Sequence, residues 1–310
     1  MATFWQLARQ LRLVAIAATL LACRDVSASE PAGNANLHLS EEQKQVVEGF
    51  RRGLDRITSG ECLIVEHNSR GNQTKKMRSV FDYESARFRF DTEIVGRHTY
   101  RLVLTPTEML LYVGGDHAIH RYPREGRIPI SYAAPIELRT IGRSGIGDYL
   151  NRTPSERLVE FSSDMLPVAV EKIGEAWKLT LVKDYSRPQK MGPTVHMRTW
   201  RVVTVAPEFG FLPTADTWFQ KGALASLGDD LSVTQGKLVQ TAEYEWEKRD
   251  NVVVPKHVVF QASPDADWTI DVTFEWKSVN APPKADVFSP NDFDVEPGTR
   301  LVDDRDVQPK

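Results

Sequence analysis

The sequence predicts an α+β fold built on one strongly curved antiparallel sheet of about ten to twelve strands, with helices lying across one face. Three observations carry this reading. Residues 239–280 alternate apolar and polar side chains at a period of two through three consecutive segments. A capping box opens an amphipathic helical pattern just before the first strand. No strand-helix-strand rhythm of the kind that builds parallel sheets occurs along the chain.

In the last of those segments Trp268, Ile270, Val272, Phe274 and Trp276 share one parity, and Thr269, Asp271, Thr273, Glu275 and Lys277 share the other. A pleated strand sends the two sets to opposite faces, one aromatic and one wet. Ala242, Tyr244 and Trp246 repeat the pattern against Glu243, Glu245 and Glu247, as do Val258, Phe260 and Ala262 beyond Pro255. Residues 248–251 and 263–267 supply the turns.

Taken from its start, the chain opens with Arg9 and Arg12, an apolar run from Leu13 to Ala22, and the small-residue site Val26-Ser27-Ala28. This is the layout of a secretory signal over residues 1–28. Leu20-Leu21-Ala22-Cys23 also fits a bacterial lipobox, in which residues 1–22 are removed and Cys23 is lipidated. The two cleavages exclude each other, and the second would anchor the protein to a membrane. No later run approaches the roughly 20 apolar residues of a spanning helix.

Residues 29–38 read as a flexible spacer, and a domain is expected over 39–280. Ser40-Glu41-Glu42-Gln43 is the capping box; Val46, Val47, Phe50, Leu54 and Ile57 follow at helical spacing to about Thr58. Six strands then run from Cys62 to Tyr122. Residues 123–167, with five prolines, read as a helical insertion, with one helix around Ile146, Tyr149 and Leu150 and another from Thr153-Pro154 through Phe161. Strands resume at Trp177 and continue to Asn280. Residues 281–310 read as an extended tail pinned by Val287, Phe288, Phe293 and Val295.

A chain of 310 residues with 41% apolar side chains can bury a large core, and a net charge of −3 without a basic cluster argues against nucleic acid as a partner. Cys23 and Cys62 are the only cysteines, so loss or acylation of Cys23 leaves no intrachain disulfide. Cys62, in an apolar strand, reads as a buried hydrophobe rather than a nucleophile. His117 and His120 point oppositely if they stand on a strand and lack a supporting carboxylate cluster in sequence, so no metal site is expected. Gly142–Gly147 lacks the lysine and hydroxyl of a phosphate loop, and no G-x-S-x-G elbow occurs. No cofactor is expected.

The order of elements resembles the LolA/LolB-like lipoprotein-carrier superfamily, which includes the sensor domains of RseB-type regulators. The resemblance spans residues 40 to about 280. It rests on the opening helix before Ser59-Gly60, the strand Phe88-Arg89-Phe90, the turn Phe209-Gly210-Phe211-Leu212-Pro213, and Val254-Pro255 before a late strand. Residues 136–142 and 297–303 are similar to exported proteins of planctomycete-type bacteria with this layout. The resemblance implies a half-open β-barrel whose concave face is covered by helices and holds acyl chains.

On that basis Phe88, Phe90, Leu102, Leu104, Trp218, Phe260, Phe274 and Trp276 are expected to line an apolar cavity for a lipid or a lipoprotein acyl chain. The protein is then a non-catalytic, monomeric component of the periplasm or cell envelope. The competing reading is an envelope sensor or interaction module whose core is filled by its own side chains; periodicity alone does not separate the two.

Overall fold

The computed structural model describes residues 38–124, 138–142, 165–189, 192–223, 225–262 and 268–304. The signal region with Cys23, the spacer up to residue 37 and the two expected insertion helices lie outside the described residues.

Among these residues there is one α-helix, α1 (Glu41–Arg52). The Ser40 side chain accepts from the Gln43 N–H while the Gln43 side chain accepts from the Ser40 N–H, so both halves of the capping box are made. Glu41 and Glu42 in the first turn and Arg51 and Arg52 in the last complement the helix dipole. The helix ends one turn earlier than its apolar spacing predicts, because Gly53 takes a positive φ and its N–H closes on Gly49 O. Leu54 and Ile57 are buried all the same, in the turns that follow.

Among the described residues fourteen strands form one continuous sheet. The first group is β1 (Ser59–Asn68), β2 (Gln73–Asp82), β3 (Arg87–Ile94), β4 (His98–Leu104), β5 (Glu108–Val113) and β6 (Ala118–Pro123). The second is β7 (Leu166–Ile173), β8 (Ala176–Arg187), β9 (Val195–Ala206), β10 (Leu212–Ala223), β11 (Lys237–Arg249), β12 (Val252–Ala262) and β13 (Thr269–Val279). β14 (Arg300–Asp303) comes last. Each group is an antiparallel meander, and antiparallel pairing of β1 with β13 joins them in the order β14-β6-β5-β4-β3-β2-β1-β13-β12-β11-β10-β9-β8-β7. At that seam Gly60 sits against Ser278 O, where a Cβ would come within 2.4 Å, so only glycine fits.

This corrects the expected fold class. The described chain is one mixed sheet of fourteen strands, with β14 parallel to β6, rather than an α+β half-open barrel of ten to twelve antiparallel strands. Among the described residues no helix covers a concave face: α1 packs Val46, Val47 and Phe50 on Val170, Trp177, Leu179, Leu181, Val203 and Val205, at the β7 to β9 end of the sheet. The two unforeseen strands have plain causes. Pro167 placed the start of β7 in the expected helical insertion 123–167, but β7 is an edge strand, where a missing N–H is tolerated. β14 has four residues and too little alternation to register.

The tail lies on the other face. Phe288 and Phe293, with Val287 and Val295, pack on Val80, Val103, Leu110, Tyr112 and Ile119. Arg89, 3% exposed, donates to Val287 O at 3.0 Å, to Asp292 O at 3.2 Å and to the Asp292 carboxylate, with its guanidinium over the Phe293 ring.

Candidate functional site: the apolar face and its cleft

Register lines up one parity across the sheet. Phe88 faces Leu104 and Phe90 faces Leu102 across β3 and β4. Cys62 pairs with Trp276 and Ile64 with Phe274 across the seam, and Val258 with Val272 and Phe260 with Ile270 across β12 and β13. Ala242 then pairs with Phe260 and Tyr244 with Val258. Seven of the eight expected wall residues (Phe88, Phe90, Leu102, Leu104, Phe260, Phe274 and Trp276) therefore fall in one buried cluster, none more than 6% exposed. Each large side chain buried this way contributes about 1.5–3 kcal/mol.

The aromatic rings are ordered. Phe88 and Phe90 lie nearly parallel at 6.5 Å, Tyr83 meets Phe88 edge-on at 5.2 Å, Phe81 meets Trp276 edge-on at 6.2 Å, and Tyr244 stacks on Trp246 at 6.0 Å. Both indoles of this cluster find proline carbonyls: Trp276 donates to Pro255 O at 2.8 Å and Trp246 to Pro213 O at 2.6 Å. Cys62 lies in this face, where burial pushes its thiol far up and keeps it protonated.

Trp218 stands apart. It is half-buried, and its indole donates to Asp216 at 3.0 Å. Asp216 and Arg201 occupy the same apolar parity on β10 and β9, form a double hydrogen bond at 2.8 and 2.6 Å, and are each 1% exposed at the side chain. Arg201 lies near the rings of Phe50 and Trp218, and its Nη2 donates to Gly142 O. Asp216 Oδ1 is buried with no hydrogen-bond partner. Sequence reading missed this pair; a charged residue on the apolar parity of two successive strands was the available signal.

Gly142 belongs to the short described piece of the insertion, residues 138–142, which crosses the apolar face. Leu138 and Ile141 are buried in the main cluster. Arg139 donates to Ile57 O at 2.7 Å and covers the Tyr83 ring at 3.7 Å. Gly142 packs on Pro213 and Trp246 so closely that a Cβ would come within 2.5 Å of Pro213.

A cleft of about 560 Å³ opens beside this face, between the end of α1, the Glu208–Leu212 turn and the β11–β12 hairpin. Its floor includes Leu54, Phe209, Phe211, Leu212 and Val253; Glu48, Arg52, Arg56, Glu208 and Lys248 contribute charges of both signs. None of the eight expected wall residues lines it, but Leu54 and Leu212 also belong to the main buried cluster, so the cleft floor is continuous with the apolar face. Phe211 shapes the opening from a left-handed backbone, φ 66°, a conformation rare for an aromatic residue, with its ring pressed on Gly49.

His117 contacts Glu296, and His120 contacts Asp116 and Asp304. Among the described residues no group of three or more His, Cys, Asp or Glu side chains is arranged to hold a metal, and no helix is long and apolar enough to cross a membrane.

No protein-family model and no curated protein matches the chain. Among solved structures it is similar to a LolA superfamily protein from Nitrosomonas europaea, at 11% identity and a TM-score of 0.43, over 80% of this chain and 98% of that one. It is also similar to a DUF1329 family protein from Desulfovibrio piger, at 11% identity and a TM-score of 0.44, over 81% and 96%. A third likeness is to a chain of the MucA/MucB complex of Pseudomonas aeruginosa, at 10% identity and a TM-score of 0.23, over 78% and 100%. The first carries the name of the superfamily that the sequence layout resembles. No residue's role is transferred from any of them.

Proposed function

We propose that the protein is a non-catalytic component of the bacterial cell envelope that binds a lipid, or the acyl chain of a lipid-modified partner, against the apolar face of its sheet. The observation that carries this reading is the cleft beside α1: about 560 Å³ with a mixed-charge rim and an apolar floor that runs into the main buried cluster at Leu54 and Leu212. Ligand sites fall in this size range and share this pairing of apolar lining with a few polar groups. Each methylene taken out of water there contributes about 0.8 kcal/mol, so a chain of ordinary length is held without covalent chemistry.

In this reading the chain end enters over Phe211 and the deeper wall is formed by Phe88, Phe90, Leu102, Leu104, Phe260, Phe274 and Trp276, with Trp218 beside the Arg201–Asp216 pair. Segment 138–142 moves aside to admit it. The leader residues support export to the periplasm or envelope, with Cys23 as the attachment point if the lipobox is the one used.

A second reading follows from Leu138 and Ile141, which already fill part of the face: an envelope sensor or interaction module with a self-filled core. Native mass spectrometry of the purified protein separates them. Co-purified lipid mass supports the first; an empty protein that also takes up no added fatty acid supports the second.

A further inference from the structure

We propose that residues 296–304 of the C-terminal tail are a proton-linked latch that docks on β6 while His120 is protonated and lifts away when it is not. This inference is independent of the lipid reading. The tail has two unequal attachments. Its first part is fixed through Phe288, Phe293 and the buried Arg89. Its last described part centres on the four-residue parallel strand β14, whose Leu301 is 48% exposed and whose docking rests largely on polar contacts.

Those contacts converge on one histidine. His120 Nδ1 lies 2.6 Å from Asp304, just past β14, and Nε2 lies 2.9 Å from Asp116, in the β5–β6 turn. The Tyr122 ring stacks at 6.1 Å, and the residues paired with His120 across the two ladders, Leu111 and Val302, carry no charge. Arg121, Glu108 and Asp303 form their own cluster on the opposite parity. His117 adds a contact to Glu296 at 2.9 Å at the near end of the latch. A neutral imidazole has one N–H and can donate to only one of its two carboxylates; the imidazolium donates to both.

Partial burial pulls the His120 pKa down, but the hydrogen bonds and charges of Asp304 and Asp116 outweigh it and the net is a raised value. Asp116 stays beside His120 whether or not the tail is docked; Asp304 leaves with the tail. The docked state therefore binds the proton more tightly than the undocked state. Docking is strongest below the His120 value of the undocked state and weakens as pH rises through the higher docked value. Release frees the N–H and C=O groups of the β6 edge that pair with β14, a surface suited to pairing with an extended strand.

The test is hydrogen exchange of the full chain, corrected for intrinsic rates, from about pH 5.5 to about pH 8.5, spanning histidine titration. The amides to follow are Arg300 and Asp304, which donate to His117 O and Arg121 O. Protection should fall with rising pH, by about tenfold for each unit by which docking raises the His120 pKa. In a Glu296→Gln background, which removes the His117 contact, Asp304→Asn and His120→Gln should give flat profiles, while Asp116→Asn, altered on the hairpin and not on the tail, should keep the fall. A flat wild-type profile, or a fall that survives Asp304→Asn in the Glu296→Gln background, overturns the proposal.

Discussion

Arg201 and Asp216 meet at 2.6 Å with both side chains 1% exposed, on the parity that otherwise carries the apolar face, and the arginine also holds the Gly142 carbonyl of the crossing segment. Removing one partner strands the other charge in the interior. Asp216→Ala should lower stability by about 3–5 kcal/mol, and the paired replacement Arg201→Met with Asp216→Leu should recover most of that loss. Urea unfolding of the two variants checks both.

The same pair gives a prediction about the segment above it. In Arg201→Met the Gly142 carbonyl loses its buried donor while the Arg139 contacts stay. Hydrogen exchange of residues 138–142 should quicken more than that of β9 itself; equal acceleration in both would show that the arginine does not hold the segment selectively.

Gly49 lies within α1, where alanine normally stabilises by about 1 kcal/mol. Here a Cβ would sit 2.5 Å from the Phe211 ring, so the sign should reverse and Gly49→Ala should lose about 1–3 kcal/mol through overpacking. In a Phe211→Ala background the same substitution should become neutral or stabilising. A thermal melt of all four members of that cycle reads the coupling.

Cys62 is fully buried and its thiol is held protonated by burial. The native protein at about pH 8 should resist alkylation by iodoacetamide and label only on unfolding, since the thiolate is the reactive form. Rapid labelling of the folded chain, followed by mass spectrometry, would contradict the packing described for β1.

Much of the sheet was legible because parity is a local property. Ser40 and Gln43 announced α1, and the alternation from Tyr244 to Trp276 placed β11 to β13 and their buried side. What escaped was set by distant partners. Pro167 sits in a strand only because β7 is an edge, and β14 exists because β6 offers an unpaired side some 180 residues earlier. The helical stripe through Leu54 and Ile57 was overridden by Gly53, whose positive φ turns the chain. For the candidate site, the burial of one aromatic face could be read from spacing, whereas the cleft could not. Its lining comes from α1, the Glu208–Leu212 turn and the β11–β12 hairpin, which only the fold brings together.

The most direct test of the lipid reading is titration of a fluorescent fatty acid into the delipidated wild-type protein and into Gln45→Trp. Gln45 is an exposed α1 residue lining the cleft, so a bulky side chain there narrows the opening without touching the core. The account predicts saturable binding to the wild type and at least tenfold weaker binding to the variant, about 1.4 kcal/mol. No saturable binding to the wild type, or equal affinity in the two, would contradict it.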